Sequence, residues 1–119
     1  MSSSILLSQA IDMTARYRLN KDNVLAPGYD KNILPICETF DASSMSGILA
    51  VPGCTSVRIY YGMSEDLYLH AIIVAVDEGG ADILPAQGGD TATGGTGGDV
   101  VDEAERCPPI CPPESPLNS

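Results

Sequence analysis

Apolar residues in the first twenty positions recur at steps of four, three and four: Leu6, Ala10, Met13 and Tyr17, with Leu7 and Ile11 widening the stripe. This spacing gives a helix one apolar face, opposite Gln9, Asp12 and Arg16. It predicts a helix over about residues 4–19 that packs on the core. From Asn20 to Cys37 the pattern loses its period. Pro27-Gly28 marks a turn and Pro35 disfavours helix at Leu34, so a wrapping segment is expected.

A second helix is punctuated at both ends. Asp41 is placed to accept free N–H groups of the first turn. Phe40 before it and Met45 after it have the spacing of a hydrophobic staple. Met45, Ile48 and Leu49 make the expected buried stripe, and Pro52-Gly53 stop the helix. At about ten residues it needs a sheet to lean on.

Period two then takes over. "TSVRIYYGM" sets Val57, Ile59, Tyr61 and Met63 on one side, with Arg58 and Tyr60 on the other. After the polar Ser64-Glu65-Asp66, "LYLHAIIVAVD" carries the β-branched run Ile72, Ile73, Val74 and Val76. Such a run suits a strand covered on both faces. The two predict a β-hairpin. Asp77-Glu78-Gly79-Gly80 then reads as a turn before a short third strand in "ADILP", which Pro85 ends. Two helices packed on a three-stranded antiparallel meander make an α+β fold.

Beyond Pro85 the chain changes character. Residues 86–99, "AQGGDTATGGTGGD", hold six glycines and no large apolar side chain. The expected organisation is an α+β body at 1–85, a Gly-rich acidic linker at 86–105 and a Pro/Cys-rich docking tail at 106–119. Charge follows the same division. Residues 1–76 carry seven acidic and five basic side chains, whereas 77–119 carry nine acidic and a single Arg106. An acidic half without lysine opposes a phosphate backbone, so no nucleic-acid partner is expected. The start has no basic n-region and no long apolar run, and no stretch approaches the roughly 18 apolar residues of a membrane span. The expectation is a cytoplasmic protein without membrane insertion; export by a route needing no N-terminal signal stays open.

Candidate chemistry is sparse. His70 falls on the second strand, on the face of Ile72, Val74 and Val76, and reads as a structural or edge-of-sheet residue. No nucleophile motif or phosphate loop occurs, so no catalytic residue, cofactor or enzyme activity is expected. Cys37, Cys54, Cys107 and Cys111 are the candidate thiols. Prolines 108 and 109 favour polyproline II, which rises about 3.1 Å per residue and would hold Cys107 and Cys111 roughly 12 Å apart. That separation disfavours both a shared metal and a disulfide between them, so mostly packed free thiols are the leading expectation. Cys54, just past the helix stop, is expected to pack as a small apolar group.

The tail itself reads as a ligand. Ile110 and Leu117 are its expected apolar anchors on a backbone stiffened by proline. A linker of about 19 residues spans roughly 24 Å, enough to reach the same body or a neighbouring copy. Tyr60, Tyr61 and Tyr68 on the hairpin are the expected receiving surface.

With "PGC" after a short helix, then "VRIYYGM", "HAIIVAVD" and "CPPICPPESPLN", the chain resembles a group of small bacterial proteins of no known activity. The resemblance covers roughly residues 38–119. It implies that hairpin and tail belong to one design, and brings no cofactor or catalytic residue. The expected function is a non-enzymatic, self-associating structural or interaction protein. Its tail would dock on its own body or a neighbouring subunit, building a filament or another homo-oligomer, with itself or another protein as partner. The alternative is a thiol-based redox or metal-binding protein using Cys107 and Cys111 with Cys37 or Cys54.

Overall fold

The computed structural model describes residues 4–85, 100–101 and 104–119. Eight elements follow in order: α1 (Leu7–Asn20), β1 (Cys37–Thr39), α2 (Ala42–Leu49), β2 (Ser56–Met63), β3 (Leu69–Val76), β4 (Asp82–Ile83), β5 (Val100–Val101) and β6 (Glu105–Cys107). The fold is α+β. β2, β3 and β4 form the expected antiparallel meander, and β1 pairs with β6 in a separate two-stranded ribbon.

The hairpin register runs from Ser56 opposite Val76 to Met63 opposite Leu69. Its five-residue connection places Leu67 at φ 70°, a left-handed conformation that a leucine seldom adopts. Alternation along the strands sends Val57, Ile73 and Ala75 to the face that α2 covers. There Ile48 (0 % exposed), Val51, Ile73 and Ala75 make the core, with Phe40, Met45, Cys54 and Ile83 packed around it. Complete burial of a side chain such as Ile48 is worth about 1.5–3 kcal/mol, enough to hold an eight-residue helix that could not persist alone. Cys54 therefore packs as expected, with its Sγ 3.4 Å from Ser56 O. Leu49 does not. It is exposed, and Val51, past the helix end, takes its place in the core, its N–H turned back onto Ile48 O at 3.2 Å.

On the opposite face, Arg58 Nη1 lies 2.6 Å from Asp82 Oδ1, and the Tyr60 hydroxyl donates to Asp82 Oδ2 at 2.5 Å. Both contacts tie β2 to β4 across β3. The Tyr60 hydroxyl first, and Arg58 after it, hold the Asp82 carboxyl below its ordinary range.

α1 departs from expectation. No residue of it is buried, and Leu6 (69 %) and Met13 (57 %) are largely exposed. The helix begins at Leu7, later than the expected residue 4, where the Leu6 N–H donates to Gln9 Oε1 at 2.9 Å, the return half of a capping box. It is tethered at its C-terminal end instead of packed along its length. The Tyr17 hydroxyl donates to Pro35 O at 2.6 Å, and Arg18 Nη1 and Nη2 donate to Leu117 O (2.5 Å) and Ser119 O (2.9 Å). α2 covers the hairpin around Val57, Ile73 and Ala75, and α1 stands off the rest of that face across a mostly apolar pocket.

The expected linker at 86–105 lies outside the described residues over 86–99 and 102–103. Within it, Val100–Val101 pair with Val74 and Ile73 of β3, and Glu105 opens β6.

Candidate functional site

β3 is bordered on one side by β2. Its other edge is filled by pieces from the whole chain. β4 pairs with Ala75 and Val76, and β5 with Ile73 and Val74. At the remaining end, the Ala71 N–H donates to Glu38 Oε1 at 2.7 Å and the Leu69 N–H to Ile33 O at 2.9 Å. Leu69 O in turn accepts from Arg106 Nε at 3.2 Å. Glu38 and Arg106 are cross-strand partners in the β1–β6 ribbon. Their side chains thus satisfy β3 backbone groups that a neighbouring strand would normally satisfy.

Arg106 is the centre of this junction. Its Nη2 donates to Ile33 O at 2.7 Å and also to Asn32 O, and its guanidinium lies 4.8 Å from the centre of the Tyr68 ring. A planar fork with several donors serves three carbonyls and a ring at once, which a lysine could not do. The Tyr68 hydroxyl donates to Asp30 Oδ2 at 2.7 Å. The Asn32 backbone N–H and the Tyr68 hydroxyl hold the Asp30 carboxyl below its ordinary range, while that carboxylate pushes the Tyr68 phenol up. Nearby, Lys21 is buried, with its Nζ on Lys31 O at 2.7 Å and on Asp22 at 3.2 Å.

The tail is therefore seated by residues other than those expected. Ile110 is 55 % and Leu117 41 % exposed, whereas Cys107 is 2 % exposed. Backbone pairing and the Arg106 fork need no apolar pocket, and the contribution of Leu117 is its carbonyl, held by Arg18. Of the expected receiving tyrosines, Tyr68 meets the tail through Arg106. Tyr60 is engaged with Asp82 on another part of the hairpin, and Tyr61 is exposed. Glu38 and Arg106 gave no motif. The only signal available was a lone arginine in an acidic half.

Cys107 and Cys111 form a disulfide, which corrects the expectation of free thiols. The chain does not continue as polyproline II past Cys107. It turns over residues 108–110, with cis bonds before Pro108 and Pro109 and the Ile110 N–H returning to Arg106 O at 2.9 Å. The Cα atoms of the two cysteines come to 4.5 Å. Cys37 and Cys54 are free. Among the described residues no three His, Cys, Asp or Glu side chains are grouped to hold a metal ion. No helix among them is long and apolar enough to cross a membrane.

His70 sits at the same junction. Its Nδ1 is 3.4 Å from Glu38 Oε2, a buried oxygen with no hydrogen-bond partner among the described residues. The imidazole stands beside the Glu38 carboxylate, whose other oxygen is held by the Ala71 N–H of β3. Beside this junction lies a mostly apolar pocket of about 600 Å³, between α1, β1 and the hairpin, walled by Tyr17, Cys37, Glu38, Phe40, Ile59 and Tyr61 among others. Burial pushes the Tyr17 phenol up where it closes one end. The junction's contacts are those of a clasp: they tie β1, β3, the 30–33 turn and the tail together. No protein-family model, curated protein or solved structure matches the chain.

Proposed function

We propose that this is a self-associating interaction protein in which two copies pair along α1 while the tail stays clasped to its own body. One observation carries the reading: α1 is a fourteen-residue helix with no buried residue, and an exposed apolar seam runs along it from its N-cap Leu6 through Met13 towards Tyr17. Leu6, Ala10, Met13 and Tyr17 follow the four-three-four spacing of a coiled-coil interface, which a second helix of the same kind fills with knobs into holes. A helix of this length is marginal in water unless something covers its apolar side. A second copy supplies that cover symmetrically. β2, paired on one side only among the described residues, offers an edge for further growth, and a contact there that fails to close would give a filament.

The test is the mass of the intact 12.4 kDa chain by light scattering and sedimentation at about 10–100 μM. The expected result is a dimer or larger species that L6E/M13E converts to a monomer with unchanged β-sheet circular dichroism. A monomeric wild-type chain at the highest concentration would sink the proposal. Electron microscopy of the same sample separates a closed dimer from a fibre.

A further inference from the structure

Three of the four cysteines meet at the clasp, and their arrangement does more than staple it. Cys37 of β1 stands directly opposite Cys107 of β6 in the antiparallel register. Cys107 is already bonded to Cys111, while Cys37 is a free thiol. Directly opposed residues share a face, with Cβ atoms about 4.5–5.5 Å apart. A disulfide needs about 3.5–4.5 Å, so a small shift of the two-stranded ribbon suffices.

We propose that Cys37, Cys107 and Cys111 form a thiol–disulfide exchange site in which one disulfide moves between two positions. The Cys37 thiolate attacks Cys107 Sγ. The Cys37–Cys107 bond forms as the Cys107–Cys111 bond breaks, and Cys111 leaves as a thiolate that takes a proton from water. Two electrons move within the protein, and no outside oxidant or reductant is consumed. Burial favours this direction of attack. Cys107 is 2 % exposed, so external thiols are kept from its sulfur, whereas Cys111 is exposed and its departing charge is solvated at once. Cys54, in the core beside α2, takes no part.

The two states differ in what they hold and what they offer. With Cys107–Cys111 closed, the tail is clasped to β1 without a covalent bond. With Cys37–Cys107 closed, it is locked to β1, and Cys111 becomes a surface thiol able to exchange with a disulfide on a small molecule or a protein. This inference is independent of pairing through α1, since it reads bonds within one chain.

Disulfide mapping of the intact chain tests it. The protein is equilibrated at about pH 8, quenched in acid, alkylated at its free thiols and mapped by mass spectrometry. The expected result is alkylated Cys111 together with a Cys37–Cys107 bond in at least about one molecule in a hundred. In C37S, which leaves the Cys107–Cys111 bond intact, alkylation of Cys111 is expected to fall at least about tenfold. A Cys107–Cys111 bond with alkylated Cys37 in every molecule overturns the proposal, as does alkylation of Cys111 that is unchanged in C37S.

Discussion

Replacing Arg106 with alanine removes a side chain that reaches three carbonyls, those of Asn32, Ile33 and Leu69, and stacks on Tyr68. A hydrogen bond from a charged donor contributes about 1.5–3 kcal/mol. Arg106 is only half-buried, so water replaces part of what is lost. Two bonds at the lower limit, with about 0.5 kcal/mol for the ring contact, suggest a cost of about 3.5 kcal/mol. In urea, at a slope of about 1.5 kcal/mol per molar, the unfolding midpoint of R106A is expected about 2 M below that of the wild type. R106K keeps the charge without the fork and is expected to recover about 1 kcal/mol. Amide exchange locates the effect: the Leu69 and Ala71 N–H groups at the β3 edge are expected to lose protection before the rest of the hairpin. An R106A protein within about 0.5 kcal/mol of the wild type would refute the claim that side chains close this edge.

Two further outcomes test other parts of the structure. I48A, which empties the centre of the core, is expected to cost about 2–5 kcal/mol in thermal or urea unfolding, whereas L49A next to it is expected to stay within about 0.5 kcal/mol. Equal costs at the two positions would show that α2 is rotated from the orientation described. The folded state holds the Asp30 carboxyl below its ordinary value, so this group contributes stability above about pH 4 and loses it as pH falls through the depressed folded value. An NMR titration of Asp30 checks the direction. D30N is expected to flatten the acid limb of the stability curve, and an Asp30 titrating at its ordinary value would remove that contribution.

What the sequence made legible is what local periodicity encodes. Alternation in "SVRIYYGM" marked the hairpin, and Asp41 and Gly53 bracketed α2, although the Asp41 carboxylate makes no capping hydrogen bond to the first turn. Periodicity states that one side of an element is apolar but not what will cover it. That is why α1 was expected on the core although it stands off the sheet across the pocket that Tyr17 and Ile59 line. Nor does it describe side chains that act as a strand's neighbour. Glu38 and Arg106 lie far apart in the chain, and only the register of β1 with β6 sets them side by side. The tail cysteines come together for a related reason: a preference for polyproline II is local, and the chain instead turns beyond Cys107, where the Ile110 N–H bonds Arg106 O and the disulfide closes.

The patchwork edge of β3 also orders events during synthesis. The hairpin can close as soon as Val76 is available, but Leu69 waits for Arg106, thirty-seven residues later. Until then Leu69 O, and before Val100 and Val101 arrive the edge at Ile73 and Val74, lack their partners on a growing chain with neighbours on the same messenger. The long glycine-rich stretch prolongs that interval. Recently made chains would thus be adhesive along an edge that the finished protein keeps shut, so the time needed to complete the tail sets the window for strand exchange between neighbours.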